Sequence, residues 1–115
     1  MPRIMVPQKK TNPEALVQAK IVKYLEARGW IVNVTHGNAF QSGFPDLWAC
    51  HPRFSYRWIE VKDPNRAGKR SLFTPAQRRV FPLWAGCGIG IWVLTGADQW
   101  EYDKLFRPAN WYTFL

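Results

Sequence analysis

The spacing of apolar and polar residues predicts a helix at the start of the chain. Residues 12–29 have Asn12 as a candidate N-cap, Pro13 at the first helical position and Gly29 as the end. Apolar residues recur there at helical spacing on one face: Val17, Ile21, Tyr24 and Leu25. Glu14 precedes Val17 by three residues, so it heads this inward face, where a buried helix end would meet a polar site.

Three short segments after this helix have the β-branched and aromatic composition of strands, namely WIVNV, PDLWAC and YRWIEVK. The linker HPRFS favours a turn, which makes the second and third segments a hairpin. If the hairpin is centred on Arg53, Asp46 and Glu60 are both seven residues from the centre and face each other across the ladder. Because side chains alternate along a strand, Lys62 then lies on the side of Glu60, and Ile59 and Val61 point to the other side.

A second helix and a fourth strand are predicted in the rest of the chain. Thr74 is the candidate N-cap of TPAQRRVFPLWAG, Pro75 opens the helix and Gly86 ends it, while Pro82 predicts a kink or an early stop. The continuous apolar run in GIGIWVLT is typical of a central strand that is covered on both faces. A short helix near residues 97–106 and an aromatic end that docks on the core complete the chain.

The order of elements is α, β, β, β, α, β, which predicts an α/β fold with a mixed central sheet flanked by helices. At 115 residues and 47% apolar positions, residues 12–115 fit one compact domain, preceded by a basic N-terminal arm at 1–11. No apolar run approaches the ~18–20 residues that span a bilayer, and the start of the chain lacks the apolar centre of a signal peptide. We therefore expect an intracellular protein with no membrane partner.

The charge balance favours a polyanionic partner, with nucleic acid first and an anionic membrane second. Sixteen Lys and Arg against eight Asp and Glu leave a formal charge of +8. Between residues 28 and 97 the sequence has nine basic residues and three acidic ones, and these three are Asp46, Glu60 and Asp63. Seven Trp is a high count. Core filling explains most of them, and one or two could stack on bases or line a subunit contact.

The acids of the predicted hairpin indicate a metal site. Two facing carboxylates repel each other and are costly to bury without a counter-charge, and a hard cation such as Mg²⁺ prefers oxygen ligands. The carbonyl of Val61 could add an oxygen, and Glu14 another, directly or through water. Lys62 beside such an ion could stabilise charge on a phosphoryl oxygen or orient a water molecule. This cluster fits phosphodiester hydrolysis.

These motifs resemble a known family. FPDLWAC followed by IEVKD resembles the PD-(D/E)xK nuclease superfamily, and with the leading PEALVQAKIVKYLEARGW, the SGFPDL loop and the later TPAQRR it is closer still to the virus-type replication-repair nuclease (VRR-NUC) family. The resemblance covers residues 12–95, most of the chain. It implies a restriction-endonuclease-like core and homodimers that resemble Holliday junction resolvases, as in small phage-borne members. The loop at 63–73 departs from the family because it is longer and more basic.

The resemblance also implies roles for individual residues. Glu14, Asp46 and Glu60 would hold the metal, Mg²⁺ or Mn²⁺, Lys62 would be the catalytic lysine, and Gln77 would support the site. Alternatives stay open, since Glu14 could instead stabilise the helix dipole, Gln77 could be a surface residue, and Glu60 and Lys62 could form a structural ion pair. Cys50, His51 and distant Cys87 make an incomplete zinc set.

Basic and polar residues around the predicted site are candidates for contacts with nucleic acid. Five basic residues follow the acids in the sequence, and their clustering favours contact with phosphates. They are Arg66, Lys69, Arg70, Arg78 and Arg79. His36 and Ser42 lie on the loop before Asp46, where substrate contact and simple exposure are both open. We expect a metal-dependent DNA endonuclease, selective for branched DNA such as four-way junctions and active as a homodimer. A flap, nick or single-strand nuclease, or a DNA-binding module without catalysis, is the alternative.

Overall fold

One four-stranded sheet organises the part of the chain that this computed structural model describes, residues 13–35, 43–66 and 73–115. The helices and strands are α1 (Pro13–Glu26), β1 (Ile31–Val34), β2 (Leu47–His51), β3 (Ser55–Val61), α2 (Pro75–Gly86), β4 (Ile91–Leu94) and α3 (Gln99–Asp103). Single 3₁₀ turns lie at Pro64–Arg66, Lys104–Phe106 and Trp111–Phe114. The predicted order and the mixed α/β class are confirmed. The predicted N-terminal arm at 1–11 lies outside the described residues.

The strands lie in the order β1-β2-β3-β4, with β1, β2 and β3 antiparallel and β4 parallel to β3. The crossover from β3 to β4 carries α2, as parallel neighbours require. In the hairpin of β2 and β3, Leu47 pairs with Ile59 and His51 with Ser55. This register confirms a hairpin centred on Arg53, and one further step along it places Asp46 opposite Glu60.

Helix α1 covers one face of the sheet. Its Ile21 and Leu25 are buried at 1% exposure in the cluster that contains Leu47 and Ile59. Helix α1 ends at Glu26, and the turn to β1 passes through Gly29, which has a φ of +89° and at which a Cβ would lie 3.1 Å from Nε2 of His51. Both the left-handed backbone and the close approach therefore call for glycine at this position. Within the described ranges, no helix is long and apolar enough to cross a membrane.

Helix α2 begins at the predicted cap but does not stop early at Pro82. It runs to Gly86, with Pro82 inside it. Proline in a helix interior costs about 3 kcal/mol, because it removes one hydrogen bond and crowds the preceding turn. Phe81, fully buried, and Trp84 pack on the sheet from the turns on either side of Pro82. This packing outweighs the local cost, so α2 ends at Gly86 as the cap pattern predicted, and of the two effects expected of Pro82, a kink or an early stop, the early stop does not occur.

Strand β4 is at the edge of the sheet, where the sequence predicted a central position. Among the described residues it pairs with β3 alone. Its apolar composition reflects burial of both faces, since Val93 and Leu94 lie in two different core clusters. The backbone N–H and carbonyl groups of Val93 form hydrogen bonds with the side chain of Asn110. The N–H of Val93 donates to Oδ1 of Asn110 at 2.7 Å, and Nδ2 of Asn110 donates to the Val93 carbonyl at 3.1 Å.

The C-terminal segment that brings Asn110 to this edge is docked by aromatic side chains. Trp111 and Phe114 pack against the cluster beneath α2, and Nε1 of Trp92 donates to the Arg107 carbonyl at 2.9 Å. The predicted short helix before this segment is present as α3 and the 3₁₀ turn that follows it. The side-chain amide of Asn110 thus occupies the hydrogen-bonding groups that a fifth strand would otherwise use.

Replacement of Asn110 by aspartate tests this edge. The carboxylate of Asn110→Asp keeps the shape and can accept from Val93 N–H, but it cannot donate to the Val93 carbonyl. We expect the free energy of unfolding in urea to fall by about 1–3 kcal/mol. Asn33→Asp, which introduces the same charge at an exposed position of β1, is the control and should change stability little. Equal losses in the two variants would contradict the role of Asn110.

Candidate active site

Asp46 and Glu60 are held together by hydrogen bonds from each other's strand. Asp46 immediately precedes β2 and Glu60 is the penultimate residue of β3. The N–H of Asp46 donates to Oε1 of Glu60 at 3.2 Å, and the N–H of Val61 donates to Oδ2 of Asp46 at 2.8 Å. Each carboxylate thus accepts from the backbone at the point where the regular β2–β3 ladder ends. The two acids converge as the hairpin register predicts.

Lys62 joins this pair from the residue after β3. Its N–H donates to the Leu94 carbonyl at 3.0 Å, which keeps its backbone in line with the sheet. Its Nζ lies 2.9 Å from Oε2 of Glu60, and the side chains of Lys62 and Glu60 are 7% and 1% exposed. A buried ion pair adds little net stability over an apolar pair of similar volume, because both charges lose their hydration. The pair is therefore weak support for a purely structural role.

Gln77, in the first turn of α2, connects both members of the ion pair. Its Nε2 donates to Oε2 of Glu60 at 2.7 Å, and its Oε1 accepts from Nζ of Lys62 at 3.2 Å. The same Oε1 accepts from the N–H of Thr74 at 3.1 Å, while the N–H of Gln77 donates to Oγ1 of Thr74 at 3.1 Å. These two bonds form a capping box. The capping box fixes the orientation of the Gln77 side-chain amide, because Oε1 accepts from Thr74. The Nε2 group therefore faces Glu60 as a hydrogen-bond donor.

The electrostatics of Glu60 follow from this burial. Desolvation, followed by the nearby charge of Asp46, raises the pKa of Glu60 to about 8, and Lys62 and Gln77 oppose the rise. Burial and Asp46 therefore make the charged form of Glu60 costly despite the ion pair with Lys62, so that a proton and a further cation would compete for this carboxylate. The site as folded has a deficit of positive charge beside two carboxylates.

The donor set suits a hard divalent cation. The carboxylate oxygens of Asp46 and Glu60 are the ligand type that Mg²⁺ and Mn²⁺ prefer. Glu14 lies in the first turn of α1 and is half-buried. Across residues 13–35, 43–66 and 73–115, no three His, Cys, Asp or Glu side chains form a group that could hold a metal ion. Two acids are therefore brought together, and metal ligation by Glu14 and by the Val61 carbonyl stays a prediction.

The residues proposed to contact nucleic acid are only partly described. Arg78 and Arg79 are exposed on α2, directly after Gln77. Arg66 ends the 3₁₀ turn that follows the site. The side chain of Arg66 and the whole of His36, Ser42, Lys69 and Arg70 lie outside the described residues.

Two features beside the acids were not assigned to the site by sequence reasoning. Thr74 was predicted as an N-cap, but its link to Glu60 and Lys62 through Gln77 was not; the T-x-x-Q spacing of a capping box was the available signal. Aromatic side chains also lie on the face of the sheet that bears Glu60: Phe44, Trp48, Trp58 and Trp84 form a chain of ring contacts with centroids 5.1–6.4 Å apart.

Comparison with known proteins supports the family suggested by the motifs. No protein-family model and no curated protein matches the sequence. A solved structure described as a "VRR_NUC domain" is similar, with a TM-score of 0.63 and 27% sequence identity, over 83% of this chain and 95% of that chain. The chain therefore has the fold of a VRR-NUC nuclease domain, and this similarity supports its assignment to the VRR-NUC family.

Proposed function

We propose that the chain is a divalent-metal-dependent DNA endonuclease that acts on branched DNA as a homodimer. A VRR-NUC fold implies a nuclease, and the observation that carries the proposal is the buried cluster at its centre. Asp46, the pair Glu60 and Lys62, and Gln77 come from three segments of the chain and are linked by hydrogen bonds. The cluster combines oxygen ligands for a metal ion with an ammonium group that can stabilise charge on a phosphoryl oxygen, a combination suited to hydrolysis of a phosphodiester.

Asp46 and Glu60 are the residues that would hold Mg²⁺ or Mn²⁺, with the Val61 carbonyl and Glu14 as further ligands. When bound, such an ion supplies Lewis-acid activation of the phosphate and of a water molecule. The protein's own contribution is to fix both carboxylates through backbone N–H groups before any ligand arrives. Preorganised groups need no rearrangement during the reaction, which lowers its barrier.

Lys62 is the proposed catalytic residue. Its ammonium lies 2.9 Å from Oε2 of Glu60 and donates to Oε1 of Gln77 at 3.2 Å. From this position it would stabilise negative charge that develops on a phosphoryl oxygen, or orient the attacking water. Gln77 is a positioning residue, because it orients the Glu60 carboxylate and the Lys62 ammonium together.

Binding of DNA would draw on the charge of the whole domain. The formal charge of +8 favours a polyanion, and Arg78 and Arg79 are exposed next to Gln77. One domain of this size covers little duplex, and paired incisions need two sites related by symmetry. These considerations support a homodimer on a branched substrate, with flap, nicked or single-stranded DNA as the alternative substrates.

Replacement of Lys62 tests the catalytic assignment. In a cleavage assay with four-way junction, flap and linear DNA, each with Mg²⁺ and with Mn²⁺, Lys62→Ala should cut at least about a hundredfold more slowly than wild type. Equilibrium binding of the same DNA should change little, because Lys62 is buried. Lys20→Ala, which removes an exposed lysine of α1, is the control for loss of charge.

Circular dichroism establishes that Lys62→Ala is folded before rates are compared. Cleavage by this folded variant at the wild-type rate would rule out the catalytic role. A wild-type protein that binds these substrates and cuts none of them with either ion would instead be a DNA-binding module. Sedimentation of the wild type tests the homodimer separately.

A second test uses the raised pKa of Glu60. The pKa is about 8 in the fold and 4.5 for the unperturbed group, so the folded state retains the proton more strongly than the unfolded state. Its contribution to stability is complete below about pH 4.5 and is lost as pH rises through about 8. In metal-free buffer, the unfolding free energy of wild type should therefore fall across this range relative to Glu60→Gln, by at most about 1.4 kcal/mol per pH unit.

Urea denaturation of both proteins at pH 5, 6.5 and 8 measures this difference. Added Mg²⁺ should stabilise wild type more at pH 8 than at pH 6, since the ion competes with the proton for Glu60. Parallel stability curves for wild type and Glu60→Gln in metal-free buffer would contradict the raised pKa.

A further inference from the structure

The two faces of the sheet are covered unequally. One face is filled by α1 and by the segment around Leu105, over a core that contains Leu47, Ala49 and Ile59. On the other face, α2 and the C-terminal turn pack over β3 and β4. The half of this second face that comprises β1, β2 and the hairpin end of β3 is left open by the residues that the structure describes: Ile31 of β1 is 63% exposed and Tyr56 of β3 is 48% exposed.

This open half is lined by apolar and aromatic side chains. Ile31 pairs with Cys50 across β1 and β2, and Cys50 pairs with Tyr56 across β2 and β3, so these three share one face with Trp48. Together they border an open groove of about 390 Å³. Trp48 also pairs with Trp58, with ring centroids 6.4 Å apart. We name Trp48, Tyr56 and Trp58 the aromatic face, of which Trp48 and Tyr56 border the groove and Trp58 is partly covered by Phe44 and Trp84.

The aromatic face begins next to the acids. Side chains of a strand return to the same face every second residue, so Trp48 follows Asp46 and Trp58 precedes Glu60 on the face of the proposed active site. Two residues of a strand span about 7 Å, comparable with the length of one nucleotide in an extended strand. Tyr56 lies one such step further from Glu60.

We propose that the aromatic face stacks unpaired bases of the DNA strand that is cut, beginning with the nucleotide beside the scissile phosphate. The inference rests on the proposed function and names its substrate class. Only bases released from pairing expose a ring face to a protein surface, so cleavage would favour strands that are unpaired beside the cut, as at a flap or an opened branch point, over continuous duplex. Base stacking on aromatic side chains is strong enough to select such strands.

Charge favours a nucleic-acid strand over a second copy of this chain as the occupant. No Asp or Glu borders the groove among the residues that the structure describes, and the chain has a formal charge of +8. A second copy on this face would bring two such charges together, whereas a DNA strand brings phosphates alongside its bases. Trp48 borders the groove and lies two residues from Asp46, on the same face as Glu60, which places the bases and the scissile phosphate on one side of the sheet.

Trp48→Ala and Tyr56→Ala test the proposal by equilibrium binding. In buffer with a chelator, where no cleavage occurs, each should bind a single-stranded oligonucleotide about 5- to 100-fold more weakly than wild type. Trp100→Ala is the matched control, since Trp100 is 68% exposed on α3 and lies away from the sheet face. It should bind as wild type does. In Mg²⁺, Trp48→Ala should lose its preference for a flap over the same sequence as duplex.

An altered substrate gives the second measurement. A flap with an abasic residue beside the cut offers nothing to stack, so wild type should bind it as weakly as Trp48→Ala binds the intact flap. Trp48→Ala should lose little further affinity on the abasic flap, because both changes remove the same contact.

Two results would overturn the proposal. One is wild-type affinity of folded Trp48→Ala and Tyr56→Ala for single strands. The other is a dimer that dissociates on sedimentation of Trp48→Ala while each protomer keeps its affinity, which would make this surface a contact between copies. Loss of cleavage by Lys62→Ala is independent of both. A nuclease without base stacking and a stacking protein without cleavage are therefore distinguished.

Discussion

Two hydrogen bonds across the end of one hairpin organise the site. The N–H of Asp46 binds the Glu60 carboxylate, and the N–H of Val61 binds the Asp46 carboxylate. They form only in one register of β2 against β3, because a shift by one residue would turn every side chain of a strand to the opposite face. Core packing of Leu47 and Ile59 enforces the same register from the other side of the sheet. The apolar core and the acidic pair are therefore specified by one alignment.

Burial of charge beside this pair is made possible by α2. Glu60 and Lys62 are almost fully buried, and Gln77 bonds to both of them. The position of Gln77 depends in turn on Thr74, whose capping box starts the helix. The capping box that starts α2 thus also completes the polar network of Glu60, Lys62 and Gln77. Such networks are stable only when each member is satisfied, which explains why the helix cap and the acids must be assembled together.

The unequal cover of the sheet relates this site to the surface where DNA would lie. The C-terminal segment closes the β4 edge through Asn110 and, with α2, fills the β3–β4 half of one face. Trp48 of β2 and Tyr56 at the hairpin end of β3 border the groove beyond this cover, on the same side of the sheet as Glu60. The proposed stacking of bases beside the cut depends on this arrangement, with the acids and the accessible aromatic side chains on one side of the sheet.

Most of the fold and part of the site follow from local patterns in the sequence. Alternation, turn residues and caps predicted the elements, the hairpin centred on Arg53 and the convergence of Asp46, Glu60 and Lys62, because each depends on residues close along the chain. The edge position of β4, the choice at Pro82 between an early stop and continuation of α2 to Gly86, and the bond of Asn110 to Val93 were decided by tertiary packing. An apolar run indicates that both faces of a strand are buried. It does not indicate which neighbouring segments form hydrogen bonds with the backbone of that strand. That depends on segments that meet only when the whole chain has folded.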